Sequence, residues 1–124
     1  MTPRYFKEQI CDELDGSCKY LKKAIDCMKT HPEWSKTFKH MSEMEQDHAT
    51  ALYKMFMEMY TEQESKDPWM EQMRDGIMEC FSSNMRKIED LKVTYGLMEN
   101  TEKKNTVAAP TVSNLYFTTK EEDE

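Results

Sequence analysis

Glu45 and His48 stand three residues apart in FKHMSEMEQDHATALYKMFMEM, residues 38–59. A carboxylate and an imidazole at that spacing leave one face of a helix together, and iron, manganese and zinc all accept such a mixture of oxygen and nitrogen donors. The surroundings sharpen the pair. Stepping by threes and fours from Phe38 gives Phe38, Met41, Glu45, His48, Leu52, Met55 and Met59, an otherwise apolar stripe of the kind that packs against neighbouring helices. Burying a carboxylate and an imidazole costs on the order of several kcal/mol unless a partner, a hydrogen bond or a metal compensates.

The preceding segment carries the same device. Phe6, Ile10, Glu13, Ser17, Tyr20, Ala24 and Cys27 share a helical spacing, with Leu14, Leu21, Ile25 and Met28 widening the apolar face and Glu13 interrupting it. A helix bundle builds a two-metal carboxylate centre from one Glu on each of two helices and a Glu-x-x-His on each of the other two. Glu13, Glu45 and His48 make half of that set as metal ligands, and the sequence has no second Glu-x-x-His. A complete site therefore demands two copies of the chain related by a two-fold axis, a homodimer or higher homo-oligomer. His31, at a turn, and His40, off the stripe, read as surface residues.

Three long helices must position these groups. Thr2 and Pro3 form an N-cap and first-turn pair, and a helical pattern follows to about Lys29. Thr30-His31-Pro32 closes that helix and opens a second, to about Tyr60, and so short a connection implies antiparallel neighbours. Trp34 is expected over this turn. A polar stretch leads to Asp67 and Pro68, a second cap and start, and a third helix through about Met98 with the stripe Met70, Met73, Ile77, Cys80, Asn84, Ile88, Leu91 and Tyr95. Glu79 and Glu89 flank that stripe as solvated residues, and Asn84 reads as a register-setting or local hydrogen-bonding group. Gly16, inside the first helix, either permits a close helix approach or is simply tolerated.

Composition fits this division. The 124 residues include only 3 Gly and 4 Pro, with 12 Met and 33% charged residues, so the expected class is all-α: an antiparallel hairpin plus a third helix, a four-helix bundle completed by dimerisation, and an extended C-terminal tail. Residues 1–99 are expected to form the helical domain and residues 100–124 the extended or disordered tail. Within the tail, residues 106–119 carry Val, Leu, Tyr and Phe and suit an arm that adds to a protein partner. A net charge of −7 without a basic run argues against nucleic acid. No stretch approaches the ~20 apolar residues of a membrane span, and MTPRYFKEQI lacks the pattern of a signal peptide, so the expected location is the cytoplasm, or the inside of a protein compartment or virus particle. Cys11, Cys18, Cys27 and Cys80 contain no CxxC pair and read as reduced, helix-packing thiols.

From about Glu13 to Met59 the chain resembles the rubrerythrin and ferritin-like group. Glu13 and Tyr20 in ELDGSCKY resemble the Glu and following Tyr of the group's first helix, and PEWSKTFKHMSEMEQDHA resembles its second, ending in Glu45, His48 and Ala49. The resemblance implies a di-iron centre, two ions per dimer site with manganese or zinc as alternatives, held by Glu13, Glu45 and His48, with Tyr20 as a hydrogen-bond donor beside the ligands. It implies a non-haem di-iron oxidoreductase of ferroxidase or peroxidase type. The second carboxylate-bearing helix pair of a rubrerythrin and its CxxC iron module are both missing, and the short pattern looks more like encapsulated ferritins, which assemble the site from two hairpins. Short ferritin-like chains also occur among phage-encoded proteins. The competing reading is a non-catalytic helical assembly protein, for example of a phage particle, that grips its neighbours through residues 106–119. A third is a Met-lined groove for amphipathic helices.

Overall fold

Each helix begins on a proline, whose missing N–H is not needed in a first turn and whose fixed φ suits one. The computed structural model describes residues 2–63 and 68–108. It contains α1 (Pro3–Asp26), α2 (Pro32–Thr61) and α3 (Pro68–Ala108), with no strand among the described residues. Thr2 caps α1 by accepting a hydrogen bond from the Tyr5 amide at 3.2 Å. Between α1 and α2, the His31 amide donates to the Cys27 carbonyl at 2.7 Å, and the Trp34 ring, more than half exposed, stacks on His31 with centroids 3.7 Å apart. No described helix is long and apolar enough to cross a membrane.

The largest difference in helix length is at the end of α3. It continues ten residues past Met98 to Ala108, because Glu102, Lys103 and Lys104 are good helix formers and the next helix breaker is Pro110. The tail expected to be extended from residue 100 thus begins as helix, and of the arm expected over residues 106–119, residues 109–119 lie outside the described residues, as does the expected cap Asp67.

α1 lies between its two partners. It runs antiparallel to α2, with Phe6 beside Phe56, Ser17 beside Ser42 and Ala24 beside Ser35. It runs parallel to α3 in a register fixed by Cys11 and Cys80, which are 69 residues apart and have Cα atoms separated by 6.2 Å. α2 and α3 touch mainly through long side chains: Tyr53 against Phe81, Lys39 over Tyr95, and the Tyr60 hydroxyl donating to Glu71 at 2.7 Å. The core is one cluster in which Ile10, Leu14 and Leu21 of α1 meet Phe56 of α2 and Ile77 and Ile88 of α3, all buried.

Two expectations need correction. The cysteines are not all reduced, for Cys11 and Cys80 form a disulfide joining α1 to α3. Sequence spacing hid this pair because the parallel register, not a local motif, brings the two side chains together. Cys18 and Cys27 are free. The stripe assigned to α2 is also displaced. The buried row is Ser35, Ser42, Ala49 and Phe56, one residue every seven, and the row Phe38, Glu45, Leu52 and Met59 is half-buried beside it. Small residues occupy the buried row because α1 approaches closely there.

Candidate metal centre

The centre begins with a contact between two serines. Ser17 and Ser42 are both buried, and each hydroxyl donates to the other's backbone carbonyl at 2.9 Å, with the two Oγ atoms 2.8 Å apart. Gln46 adds its side-chain amide to Ser17 Oγ at 3.1 Å. Two turns along, the Ser35 hydroxyl donates to the Ala24 carbonyl at 2.5 Å. Buried hydroxyls need partners, and here the partners are on the facing helix, so the network sets how far apart α1 and α2 stand.

At about 100° per residue, the two edges of the buried row on α2 face different ways. Lys39, Gln46 and Tyr53 lie on one edge, and Lys39 and Tyr53 reach α3. Phe38, Met41, Glu45, His48 and Leu52 lie on the other, the flank that α3 leaves open. On α1 the same flank presents Glu13, Gly16 and Tyr20, whereas Cys11 faces α3.

Glu13, Glu45 and His48 converge on this flank, each offering one ligand atom, with these atoms all within 4.8 Å of one another. His48 Nδ1 is 3.5 Å from Glu13 Oε1 and 3.3 Å from Glu45 Oε1. The side chains of Glu13 and Glu45 are 22% and 26% exposed and that of His48 is 55% exposed. The imidazole is thus a rim group, not a member of a buried seam as its stripe had suggested. Burial, with the neighbouring Glu13 carboxyl second, pushes the Glu45 carboxyl above the ordinary carboxylate range, and His48 pulls the other way. Two acids crowded into one half-buried place resist sharing negative charge, and a divalent cation relieves that repulsion. Two carboxylates and an imidazole also match the donor preference of iron, manganese and zinc, so the residues fit such an ion.

The other sequence candidates do not join the trio. Tyr20 stacks against Phe38 with centroids 6.2 Å apart, and among the described residues its hydroxyl makes no hydrogen bond to Glu13, Glu45 or His48. His31 is stacked on Trp34, and His40 is exposed, 4.0 Å from Glu43. Asn84 donates to the Cys80 carbonyl at 2.9 Å, the local role open to it in the sequence. Sequence reasoning put Ser17 on the α1 stripe but missed its pairing with Ser42 and Gln46. The signal for Ser42 was the seven-residue spacing of Ser35, Ser42 and Ala49, which a search for apolar stripes discards.

The family model described as Rubrerythrin matches residues 6–94, a span that contains all three converging side chains. No curated protein and no solved structure matches the chain.

Proposed function

The chain belongs to the rubrerythrin family, and from that premise we propose that it is a ferritin-like di-metal carboxylate protein holding iron through Glu13, Glu45 and His48. Manganese and zinc are the alternatives. Oxidation of ferrous iron or consumption of peroxide is the reaction this reading assigns, at an interface between two copies. The observation that carries it is the convergence of two acids and an imidazole on the flank that α3 leaves uncovered. Three donors are too few for two ions, and a second hairpin approaching that flank by a two-fold axis doubles them.

Iron held there would supply redox change and open coordination positions. The protein's own part is to fix the donors. The Ser17–Ser42 contact holds the helix spacing, Glu13 and Glu45 bring the negative charge, and His48, at the rim, contributes a nitrogen on the solvent side. Phe38, Met41 and Leu52 border the acids and would exclude water once a second copy covers them.

The test is elemental analysis with light scattering after anaerobic iron reconstitution of wild type, Glu45→Ala and His48→Ala. About one iron per chain in a dimer or larger assembly, with the metal lost in both variants, supports the reading. A ligand present at 100 times its Kd also adds ~2.7 kcal/mol to stability, so wild type alone should melt higher when loaded. A monomer without iron, manganese or zinc, melting like the variants, overturns it.

An assembly role through the C-terminal arm is favoured by a separate observation: Val93 and Leu97, 61% and 64% exposed, put apolar surface on the α3 segment that leads into residues 106–119. Deleting residues 109–124 should then reduce the oligomer while leaving metal content intact, and unchanged assembly would remove this reading.

A further inference from the structure

Gly16 lies in the interior of α1, one turn beyond Glu13 and beside the serine contact. A Cβ built on it would stand 2.8 Å from Glu45 Oε2, 3.7 Å from Glu45 Cδ and 3.9 Å from Glu45 Cγ. Non-bonded heavy atoms are comfortable at ~3.5–4.0 Å, so the carboxylate occupies space that a methyl group would take. The other two glycines differ. Gly96 has open space where its Cβ would be, and Gly76 faces the end of the Lys7 side chain.

We propose that Gly16 is a positioning residue for the metal centre: by lacking a side chain it lets the Glu45 carboxylate lie against the α1 backbone, level with Glu13. This rests on the metal-binding reading above and assigns a determinant of the site outside its ligand set. The argument is geometric. Glu45 springs from α2 and must cross the helix–helix groove to meet an acid rooted in α1, and Gly16 is the α1 residue that its terminal oxygen overlies. The atom in conflict is the far end of a flexible side chain, not backbone. An added methyl therefore displaces the carboxylate and leaves the helices in place. A glycine in a helix interior is ordinarily unfavourable, so fold stability alone gives no reason for it here.

The test measures cobalt(II) affinity by titration, the visible d–d absorption of the bound ion, and the melting temperature of metal-free protein, in Gly16→Ala and Gly96→Ala. The expected result is opposite signs for Gly16→Ala: metal-free protein melts at or above wild type, as the control does, while cobalt Kd rises about ten-fold or more and the d–d bands change. Gly96→Ala should leave both cobalt readouts unchanged. Glu45→Asp supplies the second arm, because its shorter side chain retracts from Gly16. Adding Gly16→Ala to Glu45→Asp should change Kd less than about two-fold, the non-additivity expected of residues that act on one contact. Equal losses in both backgrounds, or unchanged cobalt binding in Gly16→Ala, overturn the proposal. A wild type that binds no cobalt or iron overturns the metal reading itself, and the positioning role falls with it.

Discussion

The two faces of α1 are built on different principles. Toward α2, beyond the apolar Phe6–Phe56 contact, it presents Gly16, Ser17 and Ala24, and there the contact is polar, hydrogen-bonded and close enough for a glutamate to lie across a glycine. Toward α3 it meets a helix whose buried residues are Met70, Ile77, Ile88 and Tyr95, and a disulfide ties the two. Among the described residues, the buried polar ones, Ser17, Ser35 and Ser42, all belong to α1 and α2. Apolar packing tolerates exchange of shape at modest cost, whereas a reciprocal hydroxyl–carbonyl contact has one geometry. Geometric precision therefore resides on the α2 side around the serine contact, where the converging acids are, while the α3 side is held by large apolar side chains and the disulfide.

Truncation of the apolar core should have the largest effect on folding. Ile88→Ala removes a fully buried side chain and is expected to cost ~2–5 kcal/mol in urea unfolding, with metal content per folded chain unchanged. Breaking the Cys11–Cys80 bond with a reductant, or as Cys80→Ser, is expected to cost ~2–4 kcal/mol and likewise to spare metal binding. Alkylation followed by mass measurement, before and after reduction, checks the pairing directly. On the α2 side, enlargement is the more damaging change for function. Ser42→Val deletes a buried hydroxyl and adds bulk where α1 comes closest, for ~1–3 kcal/mol of stability and loss of the metal at concentrations that saturate wild type. If Ile88→Ala releases metal as readily as Ser42→Val does, the division of labour between the two faces is wrong.

The same division explains what the sequence disclosed. The helices were legible because proline opens each and 3.6-residue periodicity fills them, and the all-α class followed from composition. α3's stripe was legible because its buried side chains are large and apolar. α2's was not, since Ser35, Ser42 and Ala49 have little hydrophobic signal, and the Met-rich row beside them, with Met41 and Met55, looked more like a core than the core did. The converging trio could be singled out because Glu13, Glu45 and His48 have distinctive side chains at helical spacing. Their placement at a half-open flank could not, because it depends on which side of α2 the third helix takes. Gly16 was ambiguous for a related reason: its role depends on a side chain from another helix.

The smallest effect concerns charge at the α2 face. Glu45 has its carboxyl pushed above the ordinary value of 4.5, first by burial and then by Glu13. Folded protein therefore holds this proton more tightly than unfolded protein does. By linkage, the associated stability is fully present below the unfolded pKa near 4.5 and is lost as pH rises through the higher folded pKa. Metal-free wild type should thus lose stability relative to metal-free Glu45→Gln over that interval, which begins near 4.5 and ends at the raised value, as read by urea midpoints at successive pH values. Adding metal should reverse the sign, because a bound cation favours the ionised carboxylate and competes with the proton. A wild type whose stability tracks that of Glu45→Gln across the interval would mean that the two acids do not oppose one another, and the electrostatic reason for a cation at this flank would be gone.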